Sequence, residues 1–119
     1  MTIVRLPDPV SAYIAATNAA DIEALMSTFA DDAIVNDHRN EFDSPDTIRH
    51  WAQHEIVDDR VTMHVIAASC RGDTAAVTAS IDGNFDKAGL PDPLVLTFYF
   101  SVSAGRIVQL VIVHNKPAS

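Results

Sequence analysis

Two hydrophobic periods divide the chain near its midpoint. In the first half apolar residues recur at helical spacing. Val10, Tyr13 and Ile14 share one stripe that begins at Asp8 and Pro9, a capping acid followed by a proline at the first helical position. Thr17 occupies the next turn of that stripe. Asp21 caps a second pattern, in which Ile22, Leu25, Met26 and Phe29 repeat the i, i+3, i+4, i+7 spacing and predict a helix reaching Phe29. A short β-prone run, Ala33 to Asp37, and a polar loop, His38 to Asp43, lead to a third helix. Ser44 caps it, Pro45 starts it and Asp46 complements its dipole. Ile48, Trp51 and Ala52 form its buried face, with Glu55 one turn further on.

The second half alternates with period two. Val61, Met63 and Val65 mark one half-buried strand, and Ala75, Val77, Ala79 and Ile81 mark the next. Arg71-Gly72-Asp73 fits the tight turn between them, and Ser103-Ala104-Gly105 joins a strand from Leu94 to Val102 to a last one from Arg106 to His114. Gly89, Pro91 and Pro93 mark the longer connection between the two hairpins. Helices first and strands afterwards predict an α+β domain, its N-terminal helices packed on one face of a curved antiparallel sheet. The last strand is apolar on both faces, with Ile107, Val111 and Val113 alternating against Val108, Leu110 and Ile112. One face meets the helices, so the other predicts a homodimer formed sheet against sheet.

Composition narrows the partners. A chain of 119 residues supports one core, so residues 1–119 are read as a single domain, and 48% hydrophobic against 20% charged residues excludes disorder. Sixteen acidic and eight basic residues leave a net charge of -8, which repels phosphate backbones and anionic lipid and excludes nucleic acid and membrane surfaces as expected partners. One cysteine, Cys70, and a first segment without an export signal predict a cytoplasmic protein.

The segment from Tyr13 to Asp21 (YIAATNAAD), followed by Leu25, Phe29-Ala30-Asp31-Asp32-Ala33 and Asp37, resembles the nuclear transport factor 2-like superfamily, especially its SnoaL-like and ketosteroid-isomerase-like branches. Ile48-Arg49 with Trp51, and Gly105-Arg106-Ile107, support the resemblance, which spans nearly the whole chain. It implies a conical α+β barrel, frequently dimeric, with a pocket between the helices and the concave sheet face. It also implies cofactor-independent isomerase, cyclase or lyase chemistry on a small hydrophobic carbonyl compound, or a non-catalytic module that binds a ligand or dimerises. Fold alone does not choose between these.

Within that resemblance Asp37 stands where ketosteroid isomerases hold their general base, and Tyr13 aligns with the tyrosine that donates to the oxyanion. Their second oxyanion donor, a protonated aspartate, would fall here at Leu96 or Thr97, neither of which replaces it. His38 is the alternative acid or base. In a regular strand His38 and Asp37 point to opposite faces, so one of them lines the pocket unless a bulge or early turn intervenes. Phe29, Trp51, Glu55, Phe98 and Phe100 are the expected pocket-lining residues, and neither a metal nor a cofactor is expected. His50 and His54 stand at the i, i+4 spacing of a zinc clamp, yet no third ligand accompanies them and their helix buries another face.

Overall fold

The computed structural model describes residues 5–114 and shows helices laid over one face of a six-stranded sheet. Helix α1 spans Asp8–Asn18 and α2 spans Ile22–Ser27. Strand β1 runs Phe29–Asp37 and β2 runs Asn40–Phe42. Helix α3, Pro45–Ala52, continues into a π-helical turn, Gln53–Val57. Four strands complete the chain: β3 (Thr62–Arg71), β4 (Thr74–Asp82), β5 (Leu94–Ser103) and β6 (Arg106–His114).

Local chemistry accounts for the helix ends. Pro7 occupies the cap position of α1, so Asp8 is its first residue rather than its cap. At the other end Asp21 N–H donates to Ala16 O and Ala20 N–H to Thr17 O, with Ala20 at φ +53°, a Schellman closure built without the usual glycine. The Asp21 carboxylate then accepts from Ala24 N–H at 3.1 Å and starts α2. Ser44 and Thr47 cap each other reciprocally at the start of α3. Arg49 holds Glu23 in a two-pronged ion pair, at 2.7 and 3.0 Å, that ties α3 to α2. Asn18 accepts from Met63 N–H at 2.7 Å and donates to Met63 O at 3.2 Å, which docks the end of α1 on β3.

The sheet order is β2-β1-β6-β5-β4-β3, and it departs from the antiparallel expectation at one seam. Strand β1 pairs with β6 in parallel, so the sheet is mixed and open. A parallel neighbour needs a crossover, and here everything from β2 to β5 lies between the two strands. The helix predicted to reach Phe29 stops at Ser27, since Phe29 already pairs with Ile107 as the first residue of β1. The expected polar loop after Asp37 contains β2, with Asp37 paired to Asn40 across a two-residue turn.

Bulges explain two further corrections. Between Ser101↔Gln109 and Val102↔Ile107 the register slips by one residue at Val108, which brings Ile107 to the same buried face as Leu110 and Ile112 instead of the face of Val111 and Val113. A slip on β3 between Val65 and Ala67 leaves Val65 and Ile66 exposed, although period two predicts Val65 to share the buried side of Met63. On β4 the alternation holds: Ala75, Val77, Ala79 and Ile81 are all buried.

Candidate functional site

The concave sheet face is closed by packing at one end and hollow at the other. At the closed end the Tyr13 ring sits edge-on to Phe29 and Phe100, at centroid distances of 6.0 and 5.2 Å. Phe29 and Phe100 are therefore core behind Tyr13 and do not line the cavity as expected. Beyond Tyr13 lies a cavity of about 260 Å³. Its floor follows the strand register: Asp37 of β1 beside Ile112 of β6, Ile112 opposite Phe98 of β5, and in the next rows Leu96 opposite His114 and Leu94 opposite Ile81. Trp51 and Ile56 form the helical wall. The π-helical turn adds an extra residue per turn there; Glu55 reaches the cavity from it and Asp59 from the turn that follows.

A third wall comes from the segment between β4 and β5, through Phe85 and Leu90. Its position depends on a close backbone approach: Asn84 N–H donates to Asp59 O at 2.7 Å, and a Cβ on Gly83 would lie 2.9 Å from that same oxygen. Only glycine fits there.

Of the expected site residues, Tyr13, Asp37, His38, Trp51, Glu55 and Phe98 all line this one cavity. Asp37 Oδ2 accepts from the Trp51 indole N–H at 3.0 Å, and its Oδ1 lies 3.3 Å from His38 Nε2. Both Asp37 and His38 reach the cavity because the strand ends between them: His38 (φ +50°) and Arg39 (φ +77°) form a two-residue hairpin turn in the left-handed region, which folds His38 back over Asp37. Left-handed backbone at two residues with side chains is costly and recurs at functional sites. The His38 ring stacks on His114, with centroids 3.9 Å apart.

Burial, reinforced by the negative charge of Asp37, pushes the Tyr13 phenol well above the usual tyrosine range. It is thus a neutral donor at any physiological pH. The Thr17 hydroxyl, one helical turn away, is near enough to the phenol to ease that rise, although the pair falls short of hydrogen-bond geometry. Leu96 faces the cavity and Thr97 the outer side, where its hydroxyl lies 3.2 Å from that of Thr78, so β5 supplies no acid to the site. Asp37, Glu55 and Asp59 are the carboxylates of the lining, His38 and His114 its imidazoles, and no lysine or arginine belongs to it. His50 and His54 lie on the exposed side of their helix with rings 4.3 Å apart, and among the described residues no group of three His, Cys, Asp or Glu converges on a metal position.

Sequence reading missed Thr17, Asp59, His114 and the loop residues Phe85 and Leu90. The signal for Thr17 was present, as a polar residue on an otherwise apolar stripe. Nothing local marks Phe85 or Leu90, whose place depends on the contact at Gly83.

This arrangement defines a class: a small α+β domain with a largely apolar cavity whose lining includes an acid, a phenol and an indole. The SnoaL-like domain family matches residues 10–110, and the chain belongs to that family. A candidate polyketide cyclase from Sinorhizobium meliloti is 31% identical and superposes with a TM-score of 0.80, over 91% of this chain and 95% of that one. A Catenulispora acidiphila protein of ketosteroid isomerase-like fold, solved with trimethylamine, is 20% identical with a TM-score of 0.77 over 93% and 88% of the two chains. A candidate ketosteroid isomerase from Kribbella flavida is 13% identical, also at 0.77, over 95% and 79%. The last two establish the fold alone. No curated protein matches the chain.

Proposed function

We propose that the protein is a cofactor-independent isomerase, cyclase or lyase acting on a small, uncharged, hydrophobic carbonyl compound, with Asp37 as general base and Tyr13 as donor to the developing oxyanion. The observation that carries this reading is that a carboxylate and a phenol held neutral share one apolar cavity, close enough for the charge of the first to act on the second. Asp37 would take the proton on the carbon next to the carbonyl. The C–H electron pair becomes the enolate double bond, and the carbonyl π pair moves to oxygen, where Tyr13 donates. Returning the proton to another carbon gives an isomer; attack of the enolate carbon on a second carbonyl gives a ring. Trp51 positions Asp37 by occupying one oxygen, and a carboxylate with about four lone-pair sites keeps capacity for the substrate proton. His38, exposed at the rim against the other oxygen, connects Asp37 to solvent.

The lining also sets what enters. A cavity of about 260 Å³ lies just below the ~300–1,000 Å³ usual for small-molecule sites, which suits one or two rings better than a steroid. Three carboxylates without a lysine or arginine disfavour anionic ligands.

The test is hydrogen–deuterium exchange at the carbon next to the carbonyl of indanone, followed by NMR. The wild type is expected to accelerate exchange and Asp37→Asn to lose about 10²–10⁴ of that acceleration. Equal rates in the two proteins reject Asp37 as base. The alternative of a ligand-binding or dimerisation module rests on the engagement of both Asp37 oxygens by protein groups, and binding without exchange would favour it. In either case the outer sheet face, with Ile34, Tyr99 and Val113 exposed on β1, β5 and β6, supports a homodimer through the sheet. The exposed thiol of Cys70 fits a reducing cytoplasm.

A further inference from the structure

We infer that Thr17 supplies the second hydroxyl that receives the ligand's oxygen, beside Tyr13, in place of the acid that β5 lacks. This rests on the reading of the cavity as a binding site for a carbonyl compound. Three polar residues are buried among the described ones: Thr17, Thr28 and Thr97. Two are satisfied by the protein, Thr28 through Leu25 O at 2.7 Å and Thr97 through Thr78 at 3.2 Å. Thr17, 2% exposed, is the exception: among the described residues its Oγ1 is the one buried side-chain polar atom without a hydrogen-bond partner.

That exception is informative because a helical threonine has a partner at hand. Its hydroxyl ordinarily bonds back to the carbonyl four residues earlier, which here belongs to Tyr13. Thr17 does not take that bond, and the residue lines the cavity. A buried hydroxyl left unpaired is costly, and a ligand oxygen arriving beside the Tyr13 phenol would remove the cost while leaving apolar analogues nothing to gain. Tyr13 and Thr17 stand one turn apart on α1, so both residues line the cavity from one rigid helix, and the Thr17 hydroxyl lies just beneath its surface. Leu96 lines the cavity from β5 and offers no donor.

The experiment compares indanone with indane, its hydrocarbon counterpart, by titration calorimetry on wild type, Thr17→Val, Thr17→Ser and Asp37→Asn. Thr17→Val keeps the shape and removes the hydroxyl. It is expected to weaken indanone about tenfold, to leave indane unchanged or tighter, and to keep or raise Tm, while Thr17→Ser keeps the ketone preference. A Thr17→Val protein that treats both probes as the wild type does, or weakens both alike, overturns the role of Thr17. So does a clear loss of Tm in Thr17→Val, which would mark the hydroxyl as structural. In those outcomes indanone still binds wild type and Asp37→Asn, and the cavity reading survives. Failure of the wild type to bind either probe removes that reading, and the Thr17 inference with it.

Discussion

Strand β5 passes through two kinds of interior within three residues. Phe100 is fully enclosed, against Tyr13, whereas Phe98, two residues earlier on the same face, closes one end of a cavity and stacks on Phe100 at 6.3 Å. Strands β1 and β6 change in the same direction, from Ala33 and Val35 to Asp37, and from Leu110 to His114. At the packed end Phe100 lies opposite Leu110, Phe29 opposite Ile107 and Val35 opposite Leu110. The hollow end has three carboxylates, two imidazoles and an unpaired hydroxyl, which dense hydrocarbon would not tolerate. One sheet can hold both because the packed end contributes the stability that the hollow end gives up.

The largest effect should come from breaking the packed end. Phe100→Ala is expected to cost about 3–5 kcal/mol in urea unfolding, and Phe98→Ala, which already borders empty space, clearly less. Equal losses would mean that the cavity is filled as densely as the core. Tyr13, at the boundary, sharpens the contrast through pH. Its phenol is raised in the fold above the value of about 10 it has unfolded, so the neutral form is favoured in the native state. Its contribution is therefore complete below about pH 10 and falls as pH rises from there towards the folded value, by up to about 1.4 kcal/mol per pH unit. Tyr13→Phe should remove that alkaline slope from denaturation curves and leave stability near pH 7 little changed. The smallest effect is at a helix end remote from this contrast: Ala20→Gly relieves a left-handed residue and should add about 1 kcal/mol, read as a rise in Tm. Gain of similar size from Arg39→Gly, with loss of the exchange activity, would show that the strain beside His38 serves the site.

Much of the fold was legible because periodicity reports burial directly. The caps at Asp21 and Ser44, the β4 alternation and the turn at Gly72 are all consequences of nearby residues. Asp37 and Tyr13 were singled out by the resemblance rather than by periodicity, and both line the cavity. Phe29 was misread because an apolar residue at helical spacing is equally the first residue of a strand, and its partner Ile107 is far away in the chain. The parallel seam between β1 and β6 has no local signature at all.

By itself, then, the amino-acid order determined which segments bury an apolar side and where helices start. Tertiary structure alone decided that His38 joins Asp37, through a left-handed turn whose residues carry no glycine to announce it. It also decided that Thr17 lies unpaired in the cavity and that Phe85 and Leu90 close it. The reason is physical: burial pattern is a property of neighbours along the chain, whereas a cavity exists only where distant segments fail to fill the space between them.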